Sequence, residues 1–155
     1  MTRILKVYRA ERFSPNSVER DRAIIDAAGD ILTRHGYDVA GVRESELTEN
    51  VDAEVFMSMA RTRQALAILK GKEREGRIVI NSTVGVERCQ RSTIDRLMRA
   101  NRIPAAPLEG CDGYWIKRGD EAAQSKDDVA FAQNDDDKRR ILSRFEQRGV
   151  TDVVV

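Results

Sequence analysis

Apolar residues recur along this chain at two different spacings. Short clusters at residues 4–8, 37–42, 55–57 and 78–80 read as strands, the first carrying Ile4, Leu5 and Val7 and the last Ile78-Val79-Ile80. Between them, Val18, Ile24, Ile25, Ala28, Ile31 and Leu32 fall on one face at helical spacing over residues 17–35. Ala65, Leu66, Ile68 and Leu69 do the same after Thr62. Ser17 and Thr62 stand where helix caps are expected, and Gly36 and Gly76 stand where helices stop. Strands alternating with helices predict a parallel sheet with helices on its faces. Ligands of such sheets sit at the carboxyl ends of the strands, which makes residues 9–16, 43–49, 58–61 and 81–84 the candidate loops.

The pattern changes after Ser82. A short helix is expected over residues 83–89. Ser92 then caps another, with Asp95 as its capping-box acid and Ile94, Leu97 and Met98 as its buried face. Ile103-Pro104 ends that helix, and Pro107 keeps the following chain extended. Tyr114-Trp115-Ile116-Lys117 is a strand with a cation at its end. A polar stretch from Arg118 to Asp128 separates it from a second strand at Val129-Ala130-Phe131. A helix over residues 136–148 follows, with Asp135, Asp136 and Asp137 at its start and Arg144 and Arg148 near its end, as the helix dipole favours. Gly149 stops it, and residues 150–155 read as a closing strand. An interior-looking strand in that place suggests a piece of something larger.

Composition narrows the classes. With 155 residues, 41% hydrophobic and 34% charged, the chain reads as soluble and globular, as one domain or two small lobes. A chain of this length buries roughly 68–70% of its unfolded surface. The net charge of +1, with acids interleaved among the arginines, argues against a nucleic-acid partner. No apolar run approaches the ~18 residues of a membrane helix, and the first residues lack the apolar core of a signal peptide. Two cysteines, Cys89 and Cys111, with no spacing that demands pairing, favour a reduced, cytoplasmic protein. One histidine, His35, makes a Cys–His nucleophile or a zinc site a poor reading, and His35 at a helix end suits the dipole instead.

The hairpin about Lys117 has the layout of a nucleotide site. One strand carries a cation toward phosphates, a loop covers them, and the next strand returns. In order along the chain, Val79-Ile80-Asn81-Ser82, Cys89-Gln90-Arg91, Asn101-Arg102-Ile103-Pro104-Ala105-Ala106-Pro107, Tyr114-Trp115-Ile116-Lys117 and Asp152-Val153-Val154-Val155 resemble the ATP-grasp superfamily. The resemblance implies a Rossmann-like preceding domain over residues 1–82 and, over residues 83–155, the first part of an ATP-grasp nucleotide lobe, reaching the hinge. It matches Lys117 to the family lysine that contacts the nucleotide phosphates. Arg91 falls where the family has a second cation. Residues 118–125, which include Arg118, Gly119 and Ser125, match the mobile loop, although Gly119 is its one glycine. Val155 lies just before the adenine hinge. ATP and magnesium are the cofactors implied, and the magnesium-binding residues lie in the family's later half.

The activity implied is ligation of a small-molecule carboxylate to an amine or thiol through an acyl phosphate, with no catalysis expected from residues 1–155 alone. The alternative is a non-catalytic α/β module that binds nucleotide or another protein. Plainer roles stand beside these. Taken out of context, Lys117 reads more readily as a solvated strand-end lysine, Trp115 as core, and Asp135 to Asp137 as a helix cap and solvated turn. Arg61 and Arg63 read as surface arginines more readily than as substrate ligands, and Arg118-Gly119-Asp120 as a coincidental adhesion tripeptide. The edge at Val153 to Val155 is expected to be covered by a homo-oligomer or left partly exposed.

Overall fold

The computed structural model describes residues 1–14, 17–121 and 123–155. It divides into two compact units, Met1–Val86 and Glu87–Val155. The architecture is mixed α/β, with a parallel sheet in the first unit and a small antiparallel sheet in the second.

In the first unit, strands β1 (Arg3–Tyr8), β2 (Asp38–Arg43), β3 (Val55–Ser58) and β4 (Ile78–Ile80) lie in the order β2-β1-β3-β4, all parallel. Helix α1 (Val18–Arg34) joins the first two and α2 (Arg63–Arg74) the last two. Strand alternation sorts β1 between the two faces. Leu5 and Val7 pack with Phe56 of β3 and with Ala65 and Leu69 of α2. Lys6 and Tyr8 point the other way and meet Asp26 of α1. The two helices therefore cover opposite faces. Two glycines make room on the α1 face. A Cβ on Gly29 would lie 2.8 Å from the Lys6 side chain, and one on Gly41 would lie 2.7 Å from the Tyr8 ring.

Local chemistry explains the element ends. The Thr62 hydroxyl accepts the Ala65 N–H at 3.3 Å, capping α2 as its sequence position implies. Ser17 occupies the cap position of α1, but its side chain makes no capping bond. Gly36 and Gly76 take φ of +86° and +83°, the left-handed turn that ends each helix. The polar stretch after β1 contains a short 3-10 turn, Glu11–Phe13, which buries Phe13. Asn16, the expected end of that stretch, lies outside the described residues.

Helix α3 (Thr83–Arg88) follows β4. In the second unit come α4 (Arg91–Ala100), β5 (Tyr114–Arg118), β6 (Val129–Ala132), α5 (Asp135–Gln147) and β7 (Val153–Val154). The sheet order is β6-β5-β7, antiparallel throughout. Tyr114 and Ile116 of β5 pack with Ala132, Phe145 of α5 and Val150 as the core. Asn134 caps α5 by accepting the Asp137 N–H at 2.9 Å, and Gly149 (φ +75°) ends it. The expected closing strand is shorter than residues 150–155. Only Val153 and Val154 pair, against Arg118 and Lys117, and Val150 turns into the core.

Helix α4 departs from expectation. It starts at Arg91 with Gln90 as its cap residue, so Ser92 is already inside. The Ser92 N–H finds its acceptor in the Gly119 carbonyl at 3.3 Å, and a hydroxyl cap is not needed there. Asp95 does not reach back; it accepts from Arg99 Nε at 2.8 Å, one turn on. Ile94 and Leu97 remain 43% and 50% exposed, and Met98 is half-buried. Among the described residues, no helix is long and apolar enough to cross a membrane.

Candidate functional site

The second unit carries the hairpin. Trp115 pairs with Phe131 across the β5–β6 ladder, and Lys117 lies opposite Val129 and Val154. Since Tyr114 and Ile116 face α5, alternation puts Trp115 and Lys117 on the opposite face. Trp115 is 58% exposed there and Phe131 49%, with ring centroids 5.2 Å apart. The plain expectation that Trp115 is core is therefore corrected. Lys117 is half-buried and meets no hydrogen-bond or ion-pair partner among the described residues.

Arginines, in contrast, hold the hairpin's loop. Arg118, on the α5 side of β5, faces three carboxylates: Asp120 at 2.9 Å, Glu121 at 3.6 Å and Asp128 at 3.8 Å. Asp128 is 2% exposed. It also accepts from Arg148 at 3.0 Å and from the Gln124 N–H at 2.8 Å. Burial by itself would raise the Asp128 carboxyl and lower the Arg118 guanidinium. The Gln124 N–H and the two arginines outweigh it for Asp128, whose pKa is lowered. The carboxylates, Asp120 first, outweigh it for Arg118, whose pKa is raised.

Arg91 Nη1 donates to the carbonyls of Arg118 and Glu121 at 3.1 and 3.4 Å. Gly119 is buried between Asp152 and Ser92. Its N–H donates to the Asp152 carbonyl at 2.8 Å, and a Cβ there would collide with the Asp152 carboxylate. Ser125 caps a 3-10 turn, Lys126–Asp128, by accepting the Asp127 N–H at 3.2 Å. Val155 is half-buried against the core. The structure thus gathers Arg91, Arg118 and Gly119 at the root of the loop, with Ser125 further along it. It sets Lys117 apart, on the Trp115 face of β5. The adhesion-like tripeptide is occupied internally, since Arg118 and Asp120 pair with each other.

The first unit has its own candidate site, at the carboxyl ends of β1 and β2. The strand order reverses between β1 and β3, the topological switch where open sheets bind ligands. A cavity of about 370 Å³ opens there. It is lined from residues 8–14, the start of α1, residues 43–45 and Met59. Three of the four loops named from the sequence contribute; residues 81–84 do not.

Its base is Glu44, which is 3% exposed. The carboxylate accepts the N–H groups of Arg61 and Thr62 and the Thr62 hydroxyl, each at 2.9 Å, and the Ala10 N–H. It ties together the chain leaving β1, β2 and β3. Arg9 braces the wall by donating to Ser14 Oγ at 2.9 Å, Asp21 at 2.8 Å and the Met59 carbonyl at 3.3 Å. Sequence reasoning passed over Glu44 because it reads as one of several loop acids in Arg43-Glu44-Ser45-Glu46.

Cys89 and Cys111 are both free, and His35 is the C-terminal cap residue of α1. Among the described residues, no group of three or more histidine, cysteine, aspartate or glutamate side chains is placed to hold a metal ion. No protein-family model matches this chain, and no curated protein matches it.

Proposed function

We propose that the second unit is the phosphate-holding lobe of an ATP-dependent carboxylate–amine or carboxylate–thiol ligase, with the first unit as its Rossmann-like companion. The observation that carries this reading is Lys117. It is a half-buried cation without a partner among the described residues, on the sheet face that carries the exposed Trp115–Phe131 pair. Arg118 has its charge met by Asp120, Glu121 and Asp128, whereas the charge of Lys117 is left unmet among the described residues. A cation next to apolar rings suits a ligand that has both phosphates and a planar base. The order of elements supports the same reading: β5, loop, β6, α5, then β7 back beside β5.

In this proposal Lys117 neutralises phosphate charge, and Arg91 acts as a positioning residue through the loop carbonyls it holds. ATP, when bound, supplies the phosphoryl group that activates a carboxylate. The residues described here do not fit magnesium, and no step is assigned to it. Residues 1–155 are therefore expected to bind nucleotide without turnover.

Titration with ATP, read by the fluorescence of Trp115 and by calorimetry, tests this. Trp115 is the chain's one tryptophan, so its signal belongs to the second unit. Lys117→Ala is expected to weaken binding by roughly tenfold or more, the loss of one charge-assisted contact, and to leave the unfolding midpoint unchanged. A folded wild-type chain that ignores ATP would remove the nucleotide reading. The alternative, a protein-interaction module, would then lead, favoured by the same exposed aromatic pair.

A further inference from the structure

The geometry points to a second ligand site, in the first unit: the cavity at the carboxyl ends of β1 and β2 binds a small monocarboxylate, held between Arg22 and Arg43. Both arginines line this cavity and also an adjoining one of about 420 Å³, and Tyr8 lines both as well. They come from different elements, Arg22 from the first turns of α1 and Arg43 from the end of β2, so the two guanidinium groups flank one opening.

Neither is consumed by the fold. Arg22 makes no direct ion pair among the described residues; its guanidinium lies over the Tyr8 ring, 5.8 Å from the centroid. Arg43 is 69% exposed and reaches Glu46 only at 3.6 Å. Of the other charged groups lining the cavity, the Glu11 carboxylate is likewise without a partner among the described residues, and the rest are engaged within the fold. Arg9 and Asp21 neutralise each other at 2.8 Å, and Glu44 is saturated by backbone N–H groups and a hydroxyl.

Charge sets the ligand class. The lining holds three arginines (Arg9, Arg22, Arg43) and three acids (Glu11, Asp21, Glu44). A balanced wall with the buried Glu44 carboxylate behind it and Glu11 at its surface disfavours a dianion such as phosphate and accepts a single negative charge. Two planar guanidinium forks match one carboxylate. Met59, Val18 and the Tyr8 ring give the rest of a small ligand an apolar surface. Tyr8 is held in place for this. Its hydroxyl donates to Asp26, and Gly41 leaves the space its ring needs.

The inference deepens the ligase reading by placing its carboxylate substrate, but it stands on the first unit alone and its test needs no nucleotide. Propionate, L-alanine and inorganic phosphate would be titrated separately into the 15N-labelled chain, following the arginine Nε–H signals and the amides of Tyr8 and Ser45. Saturable shifts of Arg22 and Arg43 with propionate or alanine, on the order of millimolar affinity, and none with phosphate are expected. Arg22→Gln and Arg43→Gln should each weaken binding by roughly tenfold. Both side chains are at the surface, so an unchanged amide spectrum elsewhere checks that the variants fold. Linear, unsaturable drift with every anion would overturn the site. Equal or better response to phosphate would overturn the ligand class. Unaltered affinity in the double variant would overturn the arginine clamp. A chain that binds propionate and ignores ATP would keep this site while losing the nucleotide reading.

Discussion

Each unit buries one carboxylate near the end of its strands, and the two are satisfied by opposite means. Glu44 takes backbone N–H groups and a hydroxyl, all neutral donors. Asp128 takes two arginines and one N–H. The neutral solution takes up no guanidinium, so Arg22 and Arg43 remain at the cavity mouth. The ionic solution uses Arg118 and Arg148 to fix the loop, and Lys117 on the strand is left without a partner among the described residues. The choice of partner for a buried acid thus decides which charges a site has left for a ligand.

The contrast can be broken at Asp128 first. Asp128→Ala removes the shared acid and leaves two partly buried guanidinium groups facing none of their former partner. Loss of about 3 kcal/mol is expected from the second unit, near the lower end for a broken buried pair because Arg148 is partly exposed. Urea unfolding followed at Trp115 isolates that unit. Hydrogen exchange in β1 and β3 should be unmoved, and a matched loss there would mean that the network is not local. Glu44→Gln is the counterpart. It keeps the size but turns an N–H donor toward N–H donors, for a loss of about 2 kcal/mol. Exchange at the amides of Arg61, Thr62 and Ala10 should rise before exchange elsewhere in the first unit. Retained protection at all three would show that the carboxylate is not what holds these ends.

Periodicity is what made the first unit readable. Its strands are short apolar clusters, its helices carry 3.6-residue stripes, and Thr62, Gly36 and Gly76 mark their ends locally. The roles of Glu44 and Asp128 were not readable. Glu44 meets donors 34 residues upstream and 17 and 18 downstream, and Asp128 meets Arg148 20 residues on. In sequence each is one more loop acid. For Trp115 a signal was present: strict alternation of Tyr114 and Ile116 with Trp115 and Lys117 assigns two faces, and the lysine marks the wet one. The start of α4 misled because Ser92-Thr93-Ile94-Asp95 spells a capping box, while the Gly119 carbonyl, 27 residues away, meets the Ser92 N–H. Its stripe of Ile94 and Leu97 has helical period without burial, which periodicity alone does not distinguish.

Acid sharpens the comparison with the smallest effect. Asp128 has a pKa lowered from 3.8: burial opposes its charge, but the Gln124 N–H, Arg148 and Arg118 outweigh that. Asp135 is also lowered, chiefly by the Tyr114 hydroxyl that donates to it at 2.7 Å. A carboxyl depressed in the folded state binds its proton more weakly than in the unfolded chain. Its stabilisation is therefore full above the unfolded value of about 3.9 and drains away as pH falls through the folded pKa. The first unit has its own such group in Asp26, lowered first by the Lys6 ammonium and then by the Tyr8 hydroxyl, so both units should weaken below about pH 4. Asp128→Asn separates them. It removes one titrating group from the second unit, so the acid slope of the Trp115-monitored transition should flatten while that of exchange in β1 stays. An unchanged slope at Trp115 would place the second unit's acid sensitivity in Asp135, at the start of α5, and leave the Asp128 cluster holding the loop without setting its pH response.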